Sequence, residues 1–453
     1  MHALTHETVA EKVAGGMSDP VPELFCRALS LGKPQTPERG NLVNMVAGVR
    51  RCGKTYRLYQ EMGALLEAGV DRRNLLYFNF DDERLMPFET EVLDDVISTY
   101  EALWPASLDG CYLFFDEIQE VPGWGAFIRR IVDTRKATVY VTGSSSRMLS
   151  SEMPTEFRGR SITRELFPLS FREYCEATAG STASTIRTAY SSSEKAQLRH
   201  LLDRYLLTGG FPAVIRLAPE DAYQVLQGYA SQTVARDIVE REGFSSVRTA
   251  QAFIRRCLAS SARELSINKA QNQFRSLGLA VSRETLSALL AYYEESYLVF
   301  SLPEMSRSLS SNPRRAQKIY AADPGLEAAY SPAAARDLGQ RLKTAAFVQL
   351  RRSCGYLRAD ALTRALFKSG SVQHEVDFVL GDALVKEPLR LVQVTVSLDD
   401  EKTAKRELSA LDAAMERFGQ DESWIVTMDQ KEDRKLSSGT VHIVPAWQWL
   451  LES

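Results

Sequence analysis

Residues 48–55 read Gly48-Val49-Arg50-Arg51-Cys52-Gly53-Lys54-Thr55. They follow the pattern of a glycine, four variable residues, a second glycine, a lysine and a threonine. The apolar residues 42–47 precede the segment and predict a strand, and residues 56–62 follow it and predict a helix. A strand and a helix flanking such a loop are the context in which the pattern binds phosphate. All eight residues are therefore predicted to bind a nucleotide.

Each fixed position of the loop has a chemical reason. Gly48 and Gly53 carry no Cβ, so the backbone N–H groups can turn inward onto phosphate oxygens. The helix after the loop directs the positive end of its dipole to the same place. We expect Lys54 to reach the β- and γ-phosphates and the Thr55 hydroxyl to ligate Mg²⁺. The predicted ligands are ATP and Mg²⁺.

A second apolar run, residues 111–115, ends in Asp116 and Glu117. A run that is apolar at every position is typical of a parallel strand covered on both faces. At its carboxyl end we expect Asp116 to hold Mg²⁺ and Glu117 to activate or orient the attacking water. The alternative is that both acids only cap the next helix.

A third strand, predicted at residues 137–142, is followed by Gly143 and three serines. Ser144 is the candidate sensor of the γ-phosphate, and the alternative is an ordinary turn and helix cap. Arg158 and Arg160 come next, and either could reach the γ-phosphate of a neighbouring subunit as an arginine finger. The alternative for both is a solvated arginine.

Several segments together carry a resemblance to one family. They are residues 48–55, 114–119, 142–146, 166–174, 209–212, 236–239 and 318–326. In them the chain resembles prokaryotic AAA-superfamily ATPases that carry a C-terminal domain of unknown function with a nuclease-like fold. The resemblance extends from about residue 43 to the end of the chain. It implies ATP binding and hydrolysis, and it leaves the biological role open.

Composition excludes several classes of protein. The 453 residues are 44% hydrophobic and 25% charged, which is ordinary for globular domains. No apolar run approaches the length of about 18 residues that a membrane-spanning helix needs. The N-terminus has no signal-peptide pattern, and the six cysteines form no C-x-x-C pair. We expect a cytoplasmic protein with free thiols, and the net charge of −3 gives no general attraction to nucleic acid.

The fold class expected is α/β, with a P-loop AAA-type ATPase core, a helical and winged-helix middle domain, and a C-terminal α/β restriction-endonuclease-like domain. The predicted parts are an N-terminal helical extension at 1–40, the ATPase core at 41–177, the lid and winged helix at 178–330, and the nuclease-like domain at 331–453.

The middle part predicts a winged helix from a helix–turn–helix followed by two strands. Ser282 is the expected N-cap of the second helix. The loop between the strands is basic and could contact DNA phosphates. The alternative is a lid and protein-interaction domain that binds no DNA. The residues considered for DNA contact are Ser282, Arg283, Ser287, Tyr292, Arg307, Asn312, Arg314, Arg315 and Lys318.

The last part resembles the PD-(D/E)XK fold, whose chemistry needs acids that hold a metal and a nearby lysine. Asp377 and Gln393 match two positions of that motif. Thr395 stands at the lysine position, and Lys343 or Thr344 stands where relatives commonly have an acid. We therefore expect an inactive remnant, with weak metal binding by Asp377 and Gln393 left open.

These observations predict an Mg²⁺-dependent ATPase that couples hydrolysis to rearrangement on a protein or nucleic-acid partner. Two alternatives remain: an ATP-gated DNA nuclease, and a nucleotide-dependent switch that acts on proteins without nucleic acid. The expected partners are ATP, further copies of the chain, DNA through the winged helix, and a protein not identified by the sequence.

Overall fold

The computed structural model describes residues 3–22, 25–104, 108–143, 159–187, 189–240, 244, 246–305, 317–331, 337–382 and 387–452. The chain divides into two units, Met1–Leu166 and Phe167–Ser453. The sequence prediction placed boundaries near residues 40, 177 and 330, and these remain predictions.

A parallel sheet organises the first unit. Its strands lie in the order β2-β3-β4-β1-β5, and every neighbouring pair is parallel. All residues of β1, β3 and β4 are buried, which explains their continuous apolar runs. The predicted α/β class with a parallel P-loop sheet is confirmed. The strands are β1 Val43–Ala47, β2 Leu75–Asn79, β3 Cys111–Asp116, β4 Ala137–Gly143 and β5 Ser161–Glu165.

Helices cover this sheet and complete its core. Val9 and Val13 of the first helix are fully buried in one cluster with strand residues such as Phe78 and Phe115. Gly16 on the same helix meets β2, because a Cβ there would lie 2.0 Å from the Tyr77 carbonyl oxygen. The helices are α1 Ala3–Ser18, α2 Lys54–Glu67, α3 Glu91–Leu103 and α4 Trp124–Thr134.

The strand register brings three chain segments together. Parallel strands end at the same edge of a sheet, and here Ala47 pairs with Gly143 while Phe115 pairs with Val141. The loop after β1, the acids after β3 and the end of β4 therefore meet at one edge, which is where ligands bind in open α/β sheets.

The second unit begins with a largely helical region that includes a three-stranded antiparallel sheet, in the order β6-β8-β7. Ser282 caps its helix as predicted, since the Ser282 hydroxyl accepts the Thr285 N–H at 3.0 Å. The winged-helix class stays a prediction, and residues 306–316 of the expected wing lie outside the described residues. The strands are β6 Arg263–Leu265, β7 Val299–Leu302 and β8 Gln317–Ala321; the helices are α5 Phe171–Ala179, α6 Ser192–Thr208, α7 Pro219–Thr233, α8 Val247–Ala259, α9 Ile267–Ser276, α10 Arg283–Glu295 and α11 Pro324–Ala328.

A six-stranded mixed sheet follows, in the order β13-β14-β12-β11-β10-β9. Its three middle strands β14, β12 and β11 are parallel, and the outer strands are antiparallel to their neighbours. Its assignment to the restriction-endonuclease-like fold stays a prediction. The strands are β9 Leu362–Ser369, β10 Val372–Leu380, β11 Arg390–Val394, β12 Glu422–Thr427, β13 Glu432–Lys435 and β14 Thr440–Pro445; the helices are α12 Leu338–Cys354, α13 Glu401–Phe418 and α14 Ala446–Glu452.

Two of the segments that carried the family resemblance meet at Asp323. Its buried carboxylate accepts the N–H groups of Gly210 at 2.7 Å and Gly325 at 2.9 Å. A Cβ at Gly209 would lie 1.8 Å from Asp323 Oδ1, so that position requires glycine. Burial raises the pKa of Asp323 to about 6, and the N–H donors act in the opposite direction. These segments thus have a structural role, joining α6 to α11.

No helix among the described residues is both long and apolar enough to span a membrane.

Candidate nucleotide-binding site

The loop between β1 and α2 is held in a conformation that its glycines permit. A Cβ at Gly48 would lie 2.0 Å from the Leu166 carbonyl oxygen. Gly53 has φ 101° at the N-cap of α2, in the region that favours glycine. Arg51 also has a positive φ, of 68°. The backbone between β1 and α2 is therefore fixed by its neighbours.

Lys54 lies under this loop with 4% of its surface exposed. Its Nζ donates to the carbonyl oxygens of Gly48 at 3.0 Å and Val49 at 3.3 Å. The same ammonium lies 3.5 Å from Glu117 Oε1. The predicted phosphate ligand and the predicted water-activating acid are thus neighbours.

Asp116 is fully buried at the end of β3 and accepts three hydroxyl groups. Thr55 Oγ1 donates to it at 2.7 Å, Tyr77 OH donates at 2.8 Å, and Thr142 Oγ1 also donates. Burial raises the pKa of Asp116, Glu117 adds to that rise, and the three hydroxyls oppose it. The carboxylate and the Thr55 hydroxyl are hard oxygen donors, which are the ligands that Mg²⁺ prefers.

Glu117 has φ 52°, an uncommon conformation for a residue with a side chain. Its N–H donates to Thr142 Oγ1 at 3.0 Å, and its Oε2 accepts Gln119 Nε2 at 2.6 Å. Thr142 therefore contacts both acidic residues: its hydroxyl donates to the Asp116 carboxylate and accepts the backbone N–H of Glu117. A strained backbone held by neighbouring groups is a recurrent feature of functional sites.

Thr142 and Tyr77 were not predicted from the sequence to belong to the site. The available signal for Thr142 was a polar residue at the end of β4, but the residue predicted for this position of the site was Ser144. Tyr77 gave no signal, because a tyrosine within a strand is ordinary. Ser144 itself lies outside the described residues.

The variable residues of the loop contact the surrounding segments. Arg50 Nη2 lies 3.3 Å from Glu120 Oε1. The buried Arg27 donates to the Cys52 carbonyl oxygen at 2.6 Å. Cys52 Sγ donates to the Leu166 carbonyl oxygen at 3.2 Å, and burial raises the pKa of that thiol. These contacts hold the backbone of the loop in place.

Arg160 lies at the opposite end of the sheet. The residue after it, Ser161, pairs with Val43 at the start of β1, so a strand of five residues, about 16 Å long, separates Arg160 from its own phosphate loop. Arg160 forms an exposed ion pair with Asp133. Arg158 lies outside the described residues.

Comparison with known proteins agrees with this geometry. A model of the AAA domain matches residues 40–175, which include the loop and both acids. This part of the chain is an AAA domain. Beyond the AAA domain, residues 199–337 match a domain of unknown function (DUF8612).

Similar proteins extend along most of the chain. An uncharacterised protein of Methanocaldococcus jannaschii is 29% identical over 421 residues, which are 91% of this chain and 88% of that protein. An uncharacterised protein of Haemophilus influenzae is 25% identical and covers 69% of this chain and 75% of its own length. Among solved structures, the Walker-type ATPase of Pyrococcus abyssi is 12% identical, with a TM-score of 0.39, over 72% of this chain and 95% of that one.

Proposed function

We propose that the protein is an Mg²⁺-dependent ATPase whose site is formed by the residues 48–55, Asp116 and Glu117. The observation that carries the proposal is the 2.7 Å contact between Thr55 Oγ1 and Asp116 Oδ2, residues 61 positions apart. A threonine hydroxyl of the phosphate loop beside a carboxylate at the end of a neighbouring strand is the ligand pair expected for Mg²⁺ in this class.

The residues of the site divide the reaction between them. Backbone N–H groups of the loop and the Lys54 ammonium bind the phosphates, and Thr55 and Asp116 hold Mg²⁺. The bound metal neutralises charge on the phosphate oxygens. Glu117 accepts a proton from water as the water oxygen bonds to the γ-phosphorus, and the bond from that phosphorus to the ADP oxygen breaks. Ser144 is the proposed γ-phosphate sensor.

Removal of the metal tests this proposal. ATP hydrolysis by the full chain is expected to stop in EDTA and to return with Mg²⁺. Asp116→Asn keeps the shape of the side chain, and it should lower the apparent affinity for Mg²⁺, measured by titrating the metal at fixed ATP. Binding of a fluorescent ATP analogue without metal should be retained. Hydrolysis that continues in EDTA would reject the proposal.

We further propose that hydrolysis drives a rearrangement on a partner, which is either a protein or a nucleic acid. The second unit, Phe167–Ser453, supports this, because it provides a large part of the chain outside the ATPase site. Stimulation of the ATPase rate by DNA would favour the nucleic acid, and a rate that DNA leaves unchanged would favour a protein switch. The six free thiols support a cytoplasmic location.

An arginine finger supplied in trans is the proposed role of Arg160, with Arg158 as the second candidate. Arg160 is far from its own phosphate loop, so it can act only on a neighbouring copy. The ATPase rate per chain should rise with protein concentration. The substitution Arg160→Ala should lower the ATPase rate per chain by about a thousand-fold. Mixing Arg160→Ala with Lys54→Ala should restore part of the activity, because each variant retains one intact half of the shared site.

Arg129→Ala is the matched control, since Arg129 is an exposed arginine that also contacts Asp133, at 3.6 Å. It should leave the rate close to that of the unmodified protein. A rate per chain that stays constant over a wide dilution series, with no complementation in the mixture, would exclude a finger in trans.

Nuclease activity is not expected. Lys343 Nζ lies 2.7 Å and Lys318 Nζ 3.3 Å from Asp377 Oδ1, so two ammonium groups stand beside the carboxylate that would hold the metal. Within the described residues, no group of three or more His, Cys, Asp or Glu residues is arranged to hold a metal. Thr395 has no charge to contribute.

The purified protein should therefore leave single- and double-stranded DNA intact in Mg²⁺ or Mn²⁺, with or without ATP. Asp377→Ala should leave ATP hydrolysis unchanged. Metal-dependent cleavage that disappears in Asp377→Ala would instead establish an ATP-coupled nuclease.

A further inference from the structure

A cavity of about 690 Å³ lies in the second unit, between β10, β11, α12 and α13. It is far larger than a single ion needs, and seven of its fourteen lining residues are charged. The cationic ones are Lys343, Lys402, Lys405 and Arg406, and the acidic ones are Glu375, Asp377 and Glu407.

The acids of the cavity are already neutralised by neighbouring cations. Asp377 contacts Lys343 and Lys318, and Lys318 also pairs with Glu375. Burial alone would raise the pKa of Asp377, but the two lysines outweigh it and lower that pKa. Neither Asp377 nor Glu375 is therefore available to attract a further cation.

The third acidic residue of the cavity, Glu407, also has a cation and a hydrogen-bond donor as partners. Glu407, which is 3% exposed, accepts Arg406 Nε at 3.1 Å and the side-chain amide of Gln393. The other end of that amide, Gln393 Oε1, accepts the Asp377 N–H at 3.0 Å. The floor of the cavity is thus one hydrogen-bonded network.

Two cations remain at the rim. Lys402 and Lys405 lie three positions apart near the start of α13, so they share one face of that helix. Both are exposed, and within the described part of the chain their ammonium groups have no hydrogen-bond or ion-pair partner. The cavity therefore carries surplus positive charge at its mouth, and the helix dipole adds to it.

Burying charged side chains costs free energy, because the charges lose their hydration. Replacing buried ion pairs with apolar residues is often neutral or stabilising, so stability alone does not account for the burial of Asp377 and Glu407. The two ammonium groups beside Asp377 repel a divalent cation by simple electrostatics. A site with these properties suits an anion.

We propose that this cavity binds phosphate groups of a single-stranded nucleic acid without a metal ion. Lys402 and Lys405 contact successive phosphates, as dispersed lysines do along a nucleic-acid backbone. The volume accepts a nucleotide but not a double helix, and Leu366, Val372 and Ala410 are among the lining residues, so the cavity also offers apolar surface to a base. The proposal does not depend on the ATPase site, which lies in the other unit.

Binding of a labelled single strand of about 16 nucleotides to the full chain in EDTA tests the proposal. The double variant Lys402→Gln, Lys405→Gln should weaken binding by about tenfold or more. It should also reduce the slope of log affinity against log salt by about 1.4, which corresponds to two phosphate contacts. The affinity for a duplex of the same sequence is measured in the same way. Inorganic phosphate is added as a competitor of the labelled strand.

The control is Lys195→Gln, Lys435→Gln, which removes two exposed lysines from α6 and β13, outside the cavity. It should leave the affinity and the salt slope unchanged. Equal weakening in both double variants would overturn the proposal. The proposal would also be overturned if the duplex bound more tightly than the single strand through the same two lysines. It would be overturned as well if the Lys402→Gln, Lys405→Gln variant lost inorganic phosphate binding but kept its affinity for the strand.

Asp377→Asn separates this site from a metal site. Removing the carboxylate charge frees Lys343 and Lys318, so strand affinity in EDTA should stay the same or increase. If strand binding requires Mg²⁺ and Asp377→Asn abolishes it, the acid holds a metal and the proposal is wrong. Thermal unfolding and circular dichroism of each variant, compared with the unmodified protein, verify that the second unit is folded.

Discussion

Lys54→Ala is expected to abolish most ATP binding and turnover. The Lys54 ammonium is buried within the phosphate loop, 3.0 Å from the Gly48 carbonyl oxygen, where it is enclosed by the groups that would face the β- and γ-phosphates. Removing one partner of a buried, hydrogen-bonded charge pair costs about 2–5 kcal/mol. The affinity for ATP should therefore fall by at least about thirty-fold.

Equilibrium binding of a fluorescent ATP analogue and steady-state hydrolysis measure the effect. Lys136→Ala, which removes an exposed lysine before β4, is the matched control and should resemble the unmodified protein. Since Lys54→Ala also leaves Glu117 without its ion pair, thermal unfolding verifies that the variant is folded. A folded variant with unchanged ATP affinity and turnover would falsify the assignment of the loop.

Glu117→Gln is expected to separate binding from hydrolysis. The amide keeps the size of the side chain, and the backbone contact between the Glu117 N–H and Thr142 does not depend on the side-chain charge. Without the carboxylate, no group at that position can take the proton from water. Hydrolysis should slow by about a hundred-fold, the usual magnitude for loss of a general base.

Single-turnover hydrolysis and ATP binding, measured on the same preparation, test this prediction. ATP affinity should be unchanged or somewhat higher, because Lys54 no longer has a carboxylate competing with the phosphates. Glu91→Gln is the control, since it removes an exposed carboxylate from the start of α3 and should leave the hydrolysis rate unchanged. If Glu117→Gln hydrolyses ATP at the normal rate, another residue positions the water.

Much of the geometry of the candidate site could be predicted because its signals are local. The residues 48–55 and the pair Asp116 and Glu117 each lie within a short segment with its own strand, and the expected strands match those of the structure within one or two residues. The hydroxyl contacts of Thr142 and Tyr77 with Asp116 could not be predicted, because they depend on the order in which the strands pair.

The second unit illustrates the same limit. Asp377 and Gln393, which the resemblance to the PD-(D/E)XK fold singled out, lie on the paired strands β10 and β11. From the motif, no lysine was expected near Asp377, because Thr395 stands at the lysine position. In the structure, however, Lys318 contacts Asp377 from another sheet, 59 positions away in the chain. The strands β9 and β13 were also missed. β13 reads Glu432-Asp433-Arg434-Lys435, and four consecutive charged residues give no apolar signal.

In the proposed mechanism, the 3.5 Å ion pair between Lys54 and Glu117 would link nucleotide binding to reactivity. Any phosphate that attracts the Lys54 ammonium must compete with this carboxylate and with the two carbonyl oxygens of the loop. Part of the intrinsic binding energy is then consumed in shifting the population of lysine conformers, which lowers the observed affinity. If Glu117 is the general base, its release from Lys54 would let it accept a proton only when a phosphate is in position. Under this proposal, nucleotide binding would itself activate the residue that takes part in hydrolysis.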